Sequence, residues 1–153
     1  MTSPEARLDD LGLKLPAVAA PVAAYVPAVR TGSHVYTSGQ LPFADGSLIA
    51  TGKVGAAVSP DEAAACARQC ALNALAAVKA ELGDLSAVTR VVKVVVFVAS
   101  EPDFTGQPQV ANGASELLGA VFEDAGQHAR SAVGVAVLPL DAPVEVELVV
   151  ETG

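Results

Sequence analysis

The sequence predicts one α+β domain, a mixed β-sheet with two helices packed on one face. Two amphipathic helical segments alternate with β-branched, apolar segments, and the order along the chain is strands, helix, strand, helix, two strands. With 153 residues, the chain has the length of a single domain and is long enough to bury a core. We therefore expect one domain over residues 1–153, with residues 1–20 as an N-terminal arm or short helix.

The N-terminal third predicts extended chain and a hairpin. Three prolines between residues 16 and 27 rule out a long helix there. Residues 34–38 are rich in β-branched and aromatic side chains and predict a strand. An Asp-Gly pair at 45–46 predicts a tight turn, with residues 48–51 as the return strand of the hairpin.

The middle of the chain predicts a helix followed by a central strand. Ser59, with Pro60 after it and Glu62 three residues on, is typical of a helix start in which the side chains satisfy free backbone donors. The helical pattern continues to Leu82 and meets Gly83, which suits the left-handed turn after a helix. Residues 88–98 are apolar on both faces and predict a strand covered on each side.

The C-terminal third predicts a second helix and two strands. Apolar residues recur at three- and four-residue steps from Val110 to Val121, and the helix is expected to stop near Gly126. Residues 129–138 and 144–150 predict two strands joined by a Pro-rich turn. Both helices then cover one face of the sheet, and the other face is expected to be apolar and to pack against further copies of the chain.

The composition of the chain limits the kinds of partner that it can bind. A formal net charge of −8 and a sequence pI near 4.5 oppose binding to nucleic acid, which depends on clustered Lys and Arg. Hydrophobic residues make up 52% of the chain, yet no apolar run reaches the roughly 20 residues that span a bilayer. This high hydrophobic content predicts a homo-oligomer, in which contacts between subunits bury the excess apolar surface. An N-terminus without a secretion-signal pattern predicts a cytoplasmic protein.

Cys66 and Cys70 lie four residues apart in the first long helix. This spacing places both side chains on one face, and no further Cys or His lies at a zinc-type spacing. We interpret them as packing residues in a reducing compartment, with redox chemistry as the lesser alternative.

Arg130 is the strongest candidate for chemistry, because it lies in an otherwise apolar strand. A guanidinium stays charged, so its removal from water requires an anionic partner. Alternation along a strand places it beside the small residues Ala132, Gly134 and Ala136, which leave room for a small carboxylate gripped through two hydrogen bonds. An internal salt bridge is the equally weighted alternative.

Four further residues are weaker candidates. Glu145 lies in the strand after that of Arg130, and an antiparallel pairing would bring them to one site, where a partly desolvated carboxylate can activate water. Solvation or a structural ion pair is the default for it. Tyr25 and Ser38, the latter before Gly39, can orient a ligand or simply pack and cap. The two histidines are too isolated to suggest a metal pair.

Several of these residues lie in blocks that resemble the RidA/YjgF family of reactive-intermediate deaminases, over nearly the whole chain after the first twenty residues. The Thr-Ser-Gly-Gln and Ala-Arg-Ser blocks are the diagnostic ones. Three blocks carry the match: residues 25–42, residues 94–98, and residues 129–131 together with 138–139 and 144–147.

The resemblance implies a chorismate-mutase-like sheet with two helices on one side, assembled as a trimeric barrel with clefts between subunits. It implies hydrolysis of enamines and imines such as 2-aminoacrylate and 2-iminopropanoate to 2-keto acids and ammonia, with no metal or organic cofactor. Residue by residue, it assigns carboxylate binding to Arg130, water activation to Glu145, and the cleft lining to Tyr25, Ser38 and Gly39.

The chain departs from the family pattern at two positions beside the arginine. Ala132 stands where the deaminases commonly have Cys, and Gly134 replaces a larger residue, which predicts a wider cleft. The segment at residues 103–109 is also longer. Two hypotheses follow: an imine deaminase, or a protein of the same architecture that binds a keto acid without turnover. Ribonuclease activity, attached to some relatives, ranks last because the chain is acidic.

Overall fold

The structure, a computed structural model, describes residues 2–18 and 24–153. Its helices are α1 (Pro4–Asp10), α2 (Pro60–Leu82) and α3 (Gln107–Phe122). Its strands are β1 (Ala28–Thr31), β2 (His34–Thr37), β3 (Phe43–Ala44), β4 (Ser47–Leu48), β5 (Val88–Ala99), β6 (Ala129–Val135) and β7 (Val144–Thr152). Among the described residues no helix is both long and apolar enough to cross a membrane.

One five-stranded sheet, in the order β1-β2-β7-β5-β6, forms the centre of the fold. Strand β6 runs parallel to β5 and reaches it through α3, while β7 runs antiparallel to β5 and to β2. Helices α2 and α3 pack against each other and against the same face of the sheet. The predicted α+β architecture with two helices on one face is thus confirmed, with α1 as a short third helix.

The two long helices begin and end where the sequence predicts them to. Both hydrogen bonds of the capping box between Ser59 and Glu62 form, and Gly83 ends α2 with a φ of 86°. Helix α3 gives way at Glu123 to a 3-10 turn that ends at Gly126. The helices approach closely at Gly113, which has no side chain. A Cβ at this position would lie 1.9 Å from the Ala64 carbonyl oxygen.

The predicted hairpin is wrong in its pairing. Residues 45–46 do form a tight turn, but this turn joins only β3 to β4, in a separate two-stranded ribbon. Strand β2 pairs instead with β1 and β7. The two-residue turn between Thr31 and His34, with Gly32 at a φ of 58°, lies nearer to β2 and forms the hairpin.

The N-terminal and C-terminal boundaries also differ in part from expectation. Helix α1 lies within the predicted arm, whereas residues 19–23, inside the predicted extended segment, are outside the described residues. Strand β6 ends at Val135, three residues before the predicted end. The face of the sheet away from the helices is mixed, because exposed Val29, Tyr36 and Val133 accompany acidic side chains of β7.

Candidate functional site

Arg130 lies on the edge strand of the sheet and on the helix-covered face. In the parallel register of β5 and β6 it is opposite Val94, which is fully buried under the helices. Ala132 and Gly134 follow on the same face, opposite Val96 and Val98. The alternation expected from the sequence therefore places the three residues in one row below α3.

The guanidinium of Arg130 has two neutral partners, both on α3. Its Nη1 donates to Asn112 Oδ1 at 2.7 Å and to Ser115 Oγ at 3.2 Å. Over the described part of the chain no carboxylate lies within 4.0 Å of it, so an internal salt bridge is absent there. Both hydrogens of Nη1 are committed, while Nε and Nη2 donate to no described residue.

Gly134 does not widen the space beside the arginine. A Cβ at this position would lie 2.8 Å from Gln107 Nε2 and 3.1 Å from Ser100 Oγ, so these side chains already fill the room that a larger residue would take. Gln107 is held there by donating to the Phe104 carbonyl at 2.7 Å. An open cavity of about 270 Å³ lies further along the strand; among its lining residues are Ser100, Glu101, Phe104, Gln107 and Gly134.

Glu145 belongs to a second cluster, on the opposite face of the sheet. In β7 it is opposite Phe97 of β5, whereas the neighbouring Val144 and Val146 face the helices and are fully buried. Its carboxylate lies against the backbone of Gly39: a Cβ there would fall 2.0 Å from Glu145 Oε2. This close approach leaves no room for a Cβ, so glycine is needed at residue 39 for space and not for its φ, which lies outside the left-handed region.

Ser38 and Tyr25 adjoin this cluster. The Ser38 hydroxyl donates to the Val26 carbonyl at 2.5 Å, and its backbone N–H donates to the Pro27 carbonyl at 2.8 Å. These two bonds fix the segment that carries Tyr25 beside residues 38–39. Tyr25 is 45% exposed, so it is accessible to a ligand or to another chain.

The environment of Glu145 makes its carboxyl group easier to protonate. Partial burial raises its pKa above the ordinary value, and the charge of Glu147, two residues on and on the same face, raises it further. A carboxyl group so perturbed exchanges protons nearer to neutral pH than an exposed glutamate does.

The two clusters do not meet within one chain. Glu145 was expected to join Arg130 through an antiparallel pairing of their strands, and this expectation is wrong. Strand β5 lies between β6 and β7, and the two side chains project from opposite faces. The physical reason is the loop after β6, which passes the end of β5: the Ala99 N–H donates to the Pro143 carbonyl at 2.9 Å.

Sequence reasoning missed the side chains that hold the arginine. Asn112 and Ser115 are three residues apart and so share a face of α3, which is a detectable signal once that helix is known to cover β6. His128, which the sequence predicts to be too isolated for a metal pair, contacts Ser115. Its Nε2 lies 2.8 Å from Ser115 Oγ, and its Nδ1 lies 2.6 Å from the Gly126 carbonyl oxygen.

The two cysteines have the structural character predicted for them. Both are buried in α2 and neither is in a disulfide. Burial raises the pKa of the Cys66 thiol to about 11, with a smaller effect from the charge of Glu62, and burial also raises the pKa of Cys70. Thiols this hard to deprotonate are poor nucleophiles.

Comparison with known proteins places this geometry in a family context. The sequence profile of the family described as "YjgF/chorismate mutase-like, putative endoribonuclease" matches residues 5–152. "Protein TCP17" of Trypanosoma cruzi is 52% identical over 147 residues, which cover 95% of this chain and 92% of the relative. A 2-iminobutanoate/2-iminopropanoate deaminase of Dermatophagoides farinae is 33% identical over 138 residues, 90% of this chain and 93% of the relative.

Solved structures agree with these matches. Protein Atu1372 of Agrobacterium tumefaciens is 47% identical with a TM-score of 0.90, covering 97% of this chain and 91% of that one. TdcF of Escherichia coli, solved with bound serine, is 26% identical with a TM-score of 0.66, covering 92% of this chain and 96% of that one.

Proposed function

The chain belongs to the YjgF/chorismate mutase-like family, and on that premise we propose that it hydrolyses reactive enamines and imines of the 2-aminoacrylate and 2-iminopropanoate type to 2-keto acids and ammonia. The observation that carries the proposal is the state of Arg130, a half-buried cation with neutral partners on one nitrogen only. An imine deaminase relative and a relative solved with a bound amino acid support a small carboxylate as its ligand.

The way in which Arg130 is held specifies how it would bind. Nη1 is committed to α3, so the edge formed by Nε–H and the nearer Nη2–H is left for an anion. Two parallel donors on this edge match the two oxygens of a carboxylate. Ala132 forms a small apolar floor beside it, suited to a short side chain on the substrate.

Glu145 supplies the water chemistry in this proposal. Its carboxylate takes a proton from water as the oxygen attacks the imine carbon, and it returns that proton to the nitrogen. Glu145 then takes the proton of the new hydroxyl group and passes it to the nitrogen as the C–N bond breaks, which releases ammonia and leaves the carbonyl group of the 2-keto acid. An enamine substrate first tautomerises to the imine, taking a proton on its terminal carbon and losing one from its nitrogen. Ser38 and Tyr25 line the cleft and orient the substrate, with Gly39 giving Glu145 room; no metal or organic cofactor takes part.

The proposal requires a second copy of the chain. Arg130 and Glu145 lie on opposite faces of one sheet, so a single chain cannot direct both at one small molecule. In a homotrimer with three clefts, the arginine of one subunit faces the glutamate cluster of its neighbour. The exposed Val29, Tyr36 and Val133 on the open face of the sheet favour burial against another copy.

The test is the decay of freshly generated 2-iminopropanoate, followed with and without protein. The wild type should accelerate it, and Arg130→Ala should reduce the acceleration by about 10²- to 10³-fold, the loss of a charge-assisted bidentate contact. Arg90→Ala removes the same charge from an exposed position on β5 and should leave the rate unchanged. Equal rates for Arg130→Ala and Arg90→Ala would reject the assignment.

A second candidate is a protein that binds a keto acid without turnover. It is favoured by the same separation of Arg130 from Glu145, because carboxylate binding needs only the arginine half of the site. Tight binding of pyruvate that is lost in Arg130→Ala, with no effect of the wild type on imine decay, would select this function.

A further inference from the structure

A chain of hydrogen bonds runs from Arg130 away from the proposed ligand and ends at a backbone carbonyl. Arg130 Nη1 donates to Ser115 Oγ at 3.2 Å, Ser115 Oγ lies 2.8 Å from His128 Nε2, and His128 Nδ1 lies 2.6 Å from the Gly126 carbonyl oxygen. These groups join α3, the 3-10 turn after it and β6. Residues of α3, of the 3-10 turn and of the segment that leads into β6 are therefore connected to one arginine nitrogen.

For a neutral His128 imidazole, the chemistry of the groups sets the direction of every bond. A carbonyl oxygen only accepts, so the proton of a neutral His128 imidazole lies on Nδ1 and Nε2 is left as an acceptor. Ser115 must then donate its hydroxyl hydrogen to Nε2. With that hydrogen committed, the lone pairs of Ser115 Oγ face Arg130, and the serine serves only as an acceptor for the guanidinium.

We propose that His128 and Ser115 are positioning residues for Arg130: neutral His128 orients the Ser115 hydroxyl, which fixes Nη1 and so keeps the Nε/Nη2 edge directed at a substrate carboxylate. Asn112 Oδ1 holds the other Nη1 hydrogen, but an amide can rotate. The Ser115 hydroxyl cannot rotate as freely, because it donates its hydrogen to the His128 imidazole. The inference deepens the proposed function and rests on it for the identity of the ligand.

The relay predicts a graded set of variants. Ser115→Ala removes the acceptor, and His128→Leu leaves the hydroxyl without its orienting partner. His128→Gln should preserve the relay, because the side-chain amide oxygen can reach the place of Nε2 and accept from Ser115. Gln127→Leu, at the exposed neighbouring position, is the matched control for a leucine in this segment.

The first measurement needs no ligand. The Arg130 Nε–H signal in a ¹H–¹⁵N NMR spectrum, assigned by its disappearance in Arg130→Lys, reports whether the guanidinium is held in one position. We expect a sharp signal in the wild type, His128→Gln and Gln127→Leu, and a broadened or lost signal in Ser115→Ala and His128→Leu. A signal missing from the wild type, or equally sharp in all variants, overturns the relay.

The second measurement is the Kd of pyruvate by calorimetry, together with KM and kcat for imine hydrolysis. Ser115→Ala and His128→Leu should weaken pyruvate binding and raise KM by about 3- to 10-fold, the value of one hydrogen bond, with kcat nearly unchanged. His128→Gln should restore both. Unchanged Kd in Ser115→Ala overturns the positioning role, whereas failure of the wild type to bind pyruvate defeats the proposed function and leaves the NMR result to decide the relay.

Discussion

The Arg130 half and the Glu145 half of the proposed site are built on opposite principles. Arg130 lies under α3, where its fixed contacts are an amide and a hydroxyl, and no described carboxylate neutralises it. Glu145 lies on the open face of the sheet, where burial and then the charge of a second carboxylate, Glu147, raise its pKa. One half keeps a cation available, and the other makes an anion easier to protonate.

This difference identifies which partner each half lacks. A cation held by neutral groups is ready for an anionic ligand, and a carboxyl group with a raised pKa is ready to move a proton. Neither half contains what the other provides. Because β5 lies between their strands, one chain does not bring Arg130 and Glu145 together, and the proposed function needs a second copy to complete each site.

The largest effect is expected when the arginine and the glutamate are removed from different chains and the two variants are then mixed. Arg130→Ala and Glu145→Gln should each be inactive alone, because every cleft then lacks one half. When they are co-refolded in equal amounts, about a quarter of the clefts between subunits combine an intact arginine half with an intact glutamate half. Activity should therefore rise from background to about a quarter of the wild-type value.

The double variant, with both changes in one chain, is the control. When it is co-refolded with wild type in equal amounts, about a quarter of the clefts are again intact. When it is refolded alone, none are. If the two single variants stay inactive after mixing, although size analysis shows mixed assemblies, the halves do not come from different chains.

Gly39 tests the glutamate half alone. A Cβ at this position would overlap Glu145 Oε2, so Gly39→Ala must push the carboxylate out of place. A displacement of about 1 Å in a catalytic group costs up to roughly 100-fold in rate. We expect kcat to fall about 10- to 100-fold while pyruvate binding to the arginine half is largely kept.

Gly119→Ala is the matched control for this change, because nothing lies within 4 Å of its added Cβ. Its kcat should equal that of the wild type. Loss of pyruvate binding in Gly39→Ala, together with the lost rate, would contradict the division of labour between the two halves.

Local patterns predicted the elements of this fold, and long-range pairing decided what the patterns left open. The capping residues at Ser59 and the turn at Gly83 act within a few residues, so the sequence carries their full signal. The position of β7 beside β5 depends on a loop that passes the end of a strand, and no local signal marks it. The predicted meeting of Arg130 and Glu145 failed for that reason.

The same reasoning explains what was missed around the arginine. Ser115 and His128 are ordinary residues in sequence, and they become partners only because α3 folds over β6. The row of Arg130, Ala132 and Gly134, in contrast, follows from strand alternation alone.

The helix pair beneath which Arg130 lies is expected to be sensitive at one position. A Cβ at Gly113 would fall 1.9 Å from the Ala64 carbonyl oxygen, so Gly113→Ala forces α3 away from α2. Backbone displacement of this kind costs about 1–3 kcal/mol in the free energy of unfolding. Gly119→Ala, in the same helix and with free space around it, should stabilise the protein by up to about 1 kcal/mol.

Chemical denaturation followed by circular dichroism measures both changes. If Gly113→Ala were as stable as Gly119→Ala, the close approach of the two helices would be wrong, and with it the placement of α3 over Arg130.

Glu147 tests the electrostatic side of the comparison, and the expected effect is the smallest. Glu145 must be deprotonated to accept a proton from water, so activity falls as the pH drops through its pKa. Burial is the larger cause of the raised pKa of Glu145, and the charge of Glu147 is the smaller one. The acidic limb of the pH–rate profile should therefore lie at a higher pH than an ordinary glutamate would give. Glu147→Gln removes the charge and keeps the shape, so the limb should move to lower pH. A pH–rate profile of kcat/KM measures the shift, and Glu151→Gln, further along the same strand, is the control. A limb that moves to higher pH in Glu147→Gln would mean that another group titrates there, and would remove Glu145 from the role of base.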